Sequence, residues 1–260
     1  MAVTYASYLK IDELLALQQP VSDGPEHDEM LFIVIHQVYE LWFKQMIHEL
    51  EFLMQLLRNG EVARAQHTLK RVLTILKVLV HQIDVLETMT PLEFLSFRER
   101  LESGSGFQSV QFRELEFVVG NKRAEALNRH ATGSDARSRL ERRYHAPTLW
   151  DAFLRYLTFR GHAVPADALG RDVTQPVVAS PTLHPLLIHV YRTDSEARGI
   201  CERLVDLDEG LMEWRYRHVK MVERTIGTRQ GTGGSAGAAY LKTTLDQPLF
   251  PDLWQIRTEL

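Results

Sequence analysis

The chain has 260 residues, 45% of them apolar and 25% charged, with a formal net charge of −4 at neutral pH. That composition suits one large globular domain or two small ones, and so small and interspersed a charge argues against a nucleic-acid or polyanion surface. Cys201 is the only cysteine, which excludes internal disulfides and cysteine-rich zinc sites. No stretch is apolar enough to span a membrane and no signal peptide is visible, so a soluble cytoplasmic protein is expected.

In chain order, residues 1–27 form a short mixed segment with Tyr5 and Tyr8 three apart and Leu9 beside them, closed by Pro20 and Gly24-Pro25. A terminal segment stays ordered only where it docks, and two tyrosines so close to the start point to docking on another subunit. Asp28 can cap a helix that meets neither proline nor glycine before Gly60, a rod of roughly 45 Å at the rise of an α-helix. Its first half, residues 30–43, is apolar on nearly every side, the mark of a helix buried in a core. Phe32, His36, Tyr39, Glu40 and Phe43 fall together there, which places a histidine in an aromatic setting.

A second long helix is expected from about Glu61 to Thr88, with Leu69, Val72, Leu76, Leu79 and Ile83 in register. Thr90-Pro91-Leu92-Glu93 then combines an N-cap, a proline at the first helical position and a capping-box acid. The new helix carries Phe94, Phe97 and Arg98, and spacing alone favours a solvated arginine on an exposed flank. Ser103-Gly104-Ser105-Gly106 is a tight loop, with helix again from Phe107 to Val119. Residues 120–147 are charged and poor in large apolar groups, a solvated helical excursion. Thr148 caps an amphipathic helix reaching Arg160. Residues 161–183, with Pro165, Pro176 and Pro181, read as a long irregular loop and a candidate lid.

The last long helix starts near Asp194 and ends at Gly227. Leu204, Leu207, Leu211, Trp214, His218, Met221 and Thr225 follow one another at spacings of three and four, one face of a helix. Arg215, Arg217, Lys220, Glu223 and Arg224 fall largely on other faces, where they can reach water. Gly231-Thr232-Gly233-Gly234-Ser235-Ala236-Gly237 follows directly, a run whose backbone amides are open to approach. A lone histidine on an apolar face is ordinarily a core residue, and a glycine run is ordinarily a linker. A histidine on each of two greasy helices, one of them leading into such a loop, points instead to a shared buried pocket. No segment alternates with period two and no linker separates two cores, so one all-α domain spanning 1–260 is expected, built on long helices packed around the pocket.

Elimination narrows the chemistry. Glu-x-x-His, His-Glu-x-x-His and Cys-x-x-Cys-His are absent, which removes helical di-iron, zincin and covalent c-type haem sites. The glycine run lacks a following lysine and does not join a strand to a helix, so it is not a phosphate loop. A dry aromatic cavity with two histidines, an arginine and an amide-rich loop remains. It fits a b-type haem with one axial histidine, and it also fits a zwitterionic aromatic ligand whose carboxylate forks onto Arg98.

These residues resemble the tryptophan 2,3-dioxygenase family. The likeness is carried by Phe32-Ile33-Val34-Ile35-His36-Gln37-Val38-Tyr39-Glu40-Leu41-Trp42-Phe43, Met89-Thr90-Pro91-Leu92 with Phe97-Arg98, Ser103 to Ser109, Trp214-Arg215-Tyr216-Arg217-His218 and Gly231 to Ser235, and it runs from Thr4 to Trp254. The resemblance implies an all-helical homotetramer with one haem b per subunit. It implies opening of the indole ring of L-tryptophan with O₂ to give N-formyl-L-kynurenine, the first step of the kynurenine route. By the matching motifs His218 is the proximal ligand of the haem iron, His36 hydrogen-bonds the indole N–H, and Arg98 pairs with the substrate carboxylate. Thr232 fixes the ammonium or carboxylate, Phe32 and Phe94 pack on the ring, and Ser105 lies in the distal pocket near the haem edge. Tyr5, Tyr8 and Leu9 match a segment that reaches into the neighbouring subunit's pocket. Phe94 stands where some members carry tyrosine, and Ala236 where many carry serine. The alternative from another class is a haem- and tryptophan-binding sensor that performs no reaction.

Overall fold

The computed structural model describes residues 2–24, 26–232 and 237–260, and those residues contain helices and connections but no strand. Two short helices, α1 (Tyr5–Leu9) and α2 (Ile11–Leu15), bury none of their residues. The first long helix, α3, runs from Asp28 to Arg58 with His27 at the N-cap, so Asp28 opens the helix instead of capping it. An acid in the first turn still favours the positive end of the helix dipole. Residues 59–61 reverse the chain through Gly60 at φ +70°, where a Cβ would run into the Phe159 ring. The second long helix, α4 (Val62–Leu86), returns along α3.

A capped short helix follows, α5 (Pro91–Arg98), in which Thr90 accepts from the Glu93 amide and Glu93 accepts from the Thr90 amide, the reciprocal box expected there. After a 3₁₀ turn at Gly106–Gln108 come α6 (Val110–Val119), α7 (Asp135–Tyr144) and α8 (Leu149–Phe159). Short α9 (Ala166–Leu169) precedes α10 (His184–Thr193) and the longest helix, α11 (Ser195–Ile226), which starts where expected and is capped by Asp194. The chain finishes with α12 (Ala238–Lys242) and α13 (Pro251–Gln255). The core is one cluster in which Leu50 and Leu53 of α3, Leu69, Val72 and Leu76 of α4, Phe153 of α8 and Leu204, Leu207 and Leu211 of α11 interlock. Asp208, wholly buried, ties the end of the chain to α11 by accepting from the amides of Leu249 and Phe250 and from the Trp254 indole N–H.

Three expectations change. The excursion at 120–147 has a small core of its own, Phe117, Ala126, Leu127 and Leu140. One buried ammonium makes that possible: Lys122 Nζ donates to the carbonyls of Arg143, Tyr144 and Ala146 at 2.5, 2.7 and 2.8 Å, gathering the orphaned end of α7. The loop at 161–183 is not a lid. Arg171 fastens it to Asp151 on α8 at 2.6 and 2.8 Å, and no residue of the loop lines the cavity described below. The first half of α3 is not sealed in the core either. Its inward face borders a cavity, while Val34 and Leu41 on the outward face are 37% and 50% exposed in the single chain. A helix apolar on every side needs cover on every side, and one chain supplies it on only part of the circumference.

Candidate functional site

Between the upper halves of α3 and α11, with α5 and α6 closing the sides, lies a cavity of about 500 Å³. Eight of its lining residues are Phe, Tyr or Trp, an apolar wall with a few polar groups set into it, as ligand cavities commonly have. Phe32 packs against Phe94 and Phe97 at ring-centroid separations of 5.8 and 5.5 Å, and Phe43 and Phe112 lie 6.3 and 5.2 Å from Trp214 and Phe43 respectively.

Two histidines enter this space from different helices. His36, on α3, places Nδ1 2.7 Å from the carbonyl oxygen of Phe32 one turn earlier. A carbonyl can only accept, so Nδ1 carries the proton and Nε2 keeps its lone pair. Burial lowers the His36 pKa, against the opposing pull of the Phe32 carbonyl and Glu40. The Phe32 ring, 4.1 Å away, holds the imidazole in place. His218, on α11, stacks on Trp214 one turn earlier, with rings 5.3 Å apart and 7° from parallel. Burial drives its pKa down to about 4, with further repulsion from His36 and Arg113. It is shut off from bulk water yet keeps surface open to the cavity. Both rings are therefore neutral bases at neutral pH, with lone pairs that no described side chain takes.

Arg98 is turned inward, contrary to the reading from spacing. The short helix ends at Arg98 and faces the loop after α11, so the guanidinium lines the cavity and Nη2 donates to the Gln230 carbonyl. Its Nε is buried without an acceptor among the described residues. Thr232 donates its hydroxyl to the Gly104 carbonyl across the same mouth. Ser105 lines the wall beside it; its oxygen accepts from the Phe107 amide at 3.3 Å, which leaves the hydroxyl proton free to donate. Of the glycine run, Gly231, Thr232 and Gly237 line the cavity, while residues 233–236, including Ala236 and the open amides expected there, lie outside the described residues.

The fold thus brings Phe32, His36, Phe94, Arg98, Ser105, His218 and Thr232 around one cavity. Tyr5, Tyr8 and Leu9 are not among its walls; they are 77%, 76% and 43% exposed. The sequence reading missed a charged group at the cavity's side. Arg215, expected to reach water, is buried, and with Arg113 and Arg123 it converges on Glu116. Arg113 and Glu116 stand three apart on α6, a spacing that signals a pair. Nothing in the sequence says that arginines from two other segments meet it.

The molecule is an all-helical protein in which each of two long helices offers a neutral imidazole to one cavity. A sequence model described as tryptophan 2,3-dioxygenase matches residues 1–158 and 176–260. The chain is 62% identical over 259 residues to a tryptophan 2,3-dioxygenase of Herpetosiphon aurantiacus, covering 100% of this chain and 99% of that protein. It is 56% identical over 261 residues to one of Anaeromyxobacter sp. strain K, at 100% and 97% coverage, and 45% identical over 261 residues to one of Caulobacter vibrioides, at 99% and 98%. The chain belongs to the tryptophan 2,3-dioxygenase family. The stretch left unmatched, 159–175, falls largely in the loop that stands away from the cavity.

Proposed function

We propose that this protein is a haem-dependent dioxygenase that cleaves the C2=C3 bond of the indole of L-tryptophan with O₂, giving N-formyl-L-kynurenine as the first step of tryptophan degradation. The observation that carries this is the pair of neutral histidines, one with its tautomer fixed and one without a described partner.

The cavity fits haem b. Among the described residues no group of three or more His, Cys, Asp or Glu gathers to hold a bare metal ion. His218 can therefore offer iron one ligand, with a macrocycle completing the set, and its low basicity keeps the lone pair free of a proton. Bound haem would supply the oxygen chemistry, for which no side chain here is equipped.

The chain's own residues bind and orient. His36 Nε2 accepts from the indole N–H, and because burial weakens it as a base it holds that proton instead of removing it. Phe32 and Phe94 flank the indole. Arg98 exchanges its bond to the Gln230 carbonyl for the substrate carboxylate, a charge-assisted bond in place of a neutral one. Thr232 and Ser105 offer hydroxyls near the amino-acid end, and the apolar walls exclude water, which fixes the reacting atoms in one pose. Self-association as a homotetramer is supported by apolar surface that one chain leaves bare: Val34 and Leu41 on α3, and Val78 and Val85 on α4. Tyr5, Tyr8 and Leu9 then reach the neighbouring subunit's pocket. No described helix is long and apolar enough to cross a membrane, and the lone buried cysteine suits the reducing cytoplasm.

The test is an absorption spectrum of the haem-supplemented, reduced protein, taken before and after anaerobic L-tryptophan and again after air. A Soret band that shifts with tryptophan, followed by N-formylkynurenine absorbance, is expected. A shifted band without product identifies a sensor. No Soret band removes the haem assignment, and an unchanged one in His218→Ala removes His218 as the ligand of the iron.

A further inference from the structure

Arg98 ends a helix of only eight residues and runs at once into a 3₁₀ turn, Glu99–Leu101. An element so short does not hold its own place, and tertiary ties must set it. At its start the ties are apolar: Phe94 and Phe97 pack on Phe32. At its end the tie is polar. Side chains two apart on a helix face different ways, so while Arg98 lines the cavity, Arg100 stands outside it. Its Nη1 lies 2.8 Å from Glu26 Oε1, 3.3 Å from Ser22 Oγ and 3.3 Å from the Ser96 carbonyl. The bond from Arg100 holds the Glu26 carboxyl below its ordinary pKa.

What Arg100 grips is itself anchored. Glu29 on the first turn of α3 is 2% exposed and accepts from the amides of Val21 and Ser22 at 2.7 and 3.1 Å. Gln37, next to His36, donates to the Leu17 carbonyl at 3.1 Å. Residues 17–22 are therefore a strap fastened to α3 at both ends, and Arg100 ties the end of α5 to it. Beyond Arg100 the chain enters Glu102 at φ +48° and ψ −114°. Residues with a Cβ rarely adopt such a conformation, and it persists only where the surroundings hold it. Gly104 follows, with its amide 2.7 Å from the Leu101 carbonyl and its own carbonyl taking the Thr232 hydroxyl. The strained turn is thus held by Arg100 before it and by Thr232 after it.

We propose that Arg100, latched to Glu26 and Ser22, is a positioning residue that holds Arg98 in line with the substrate carboxylate. The proposal rests on the reading above that Arg98 takes that carboxylate. A guanidinium on a long flexible stem meets a carboxylate with both prongs only when the base of the stem is fixed, and a displacement of about an ångström at that base is costly. Arg100, Glu26 and Ser22 do not line the cavity, so their effect on the substrate runs through the placement of Arg98.

The test measures binding of L-tryptophan and of tryptamine by calorimetry, together with KM and kcat for tryptophan, on the haem-loaded protein. The latch is partly exposed, at 39% for Arg100 and 13% for Glu26. Its loss in Arg100→Met is therefore expected to raise Kd and KM for tryptophan only about threefold to tenfold. Tryptamine affinity and kcat should change by less than about twofold, because neither depends on the carboxylate contact. Glu26→Gln should reproduce this pattern, and Arg100→Lys, which keeps the pair with Glu26, should restore most of the loss. Arg98→Met with Arg100→Met should bind tryptophan no worse than Arg98→Met alone, since one residue acts through the other. Equal weakening of both ligands in Arg100→Met overturns the proposal and marks a general loosening of the fold. So do losses that multiply in the double variant, or unchanged tryptophan binding in Arg100→Met while Arg98→Met weakens it. If Arg98→Met itself leaves tryptophan binding unchanged, the carboxylate reading fails and the proposal with it, a result distinct from the others.

Discussion

Replacing Arg98 by methionine keeps an unbranched apolar stem and removes the guanidinium. In the structure one of its donors rests on the Gln230 carbonyl and another, Nε, has no described acceptor. A substrate carboxylate therefore brings one bond by exchange and one that is new. The new charge-assisted bond is worth about 1.5–3 kcal/mol, and its loss strands a carboxylate in a cavity with little water. We expect kcat/KM for L-tryptophan to fall about tenfold to 150-fold, the rate equivalent of that energy. Tryptamine, which keeps the indole and ammonium but has no carboxylate, should change by less than about threefold, read as kcat/KM or as a competitive inhibition constant. An equal loss for both ligands would refute the carboxylate role, and unchanged kcat/KM for tryptophan would remove Arg98 from the site.

Other changes separate orientation, stability and architecture. His36→Ala removes the acceptor for the indole N–H, and an unpaired buried donor costs about 1–3 kcal/mol, so turnover should drop about fivefold to 150-fold while the Soret band is kept; complete loss with haem intact would make His36 an obligatory base. In the haem-free protein His218 has its pKa lowered to about 4 from an ordinary 6.5. The unfolded chain therefore takes up the proton first, and the stability of the neutral ring, present in full above pH 6.5, is lost as pH falls towards 4. That linkage amounts to about 3 kcal/mol, and the urea midpoint should fall over that window and do so less in His218→Leu; an identical pH dependence in the two would refute it. Lys122→Met strands three carbonyls that one ammonium now satisfies, with an expected loss of about 3–5 kcal/mol and a lowered Tm in calorimetry; an unchanged Tm would show the ammonium to be dispensable.

Much of the helical frame was legible because its signals are local. The Thr90–Glu93 box, the Thr148 cap and the 3–4 spacing from Leu204 to Thr225 each depend on residues within a turn or two, and each appears where the spacing puts it. His36 and His218 were candidates for the same reason, each a polar residue on an apolar face. Failures came where distance in the chain was large. Arg98 faces a loop more than a hundred residues later, and Arg215 is buried by α6 and the segment after α12. Spacing gives a side chain's direction around its own helix, not what stands opposite. The 161–183 loop looked like a lid by length and composition, whereas one arginine, Arg171, holds it to α8.

By itself the sequence determined an all-helical chain, the placement of its three long helices and the two faces that carry the histidines, because hydrophobic period and capping act within an element. Only the tertiary structure decided that these faces enclose one cavity, that His36 is fixed as the Nδ1–H tautomer, that His218 is left with an unclaimed lone pair, and that three arginines crowd one glutamate beside it. Those properties come from desolvation and from charges brought together across the fold, and both exist only once separate helices have packed.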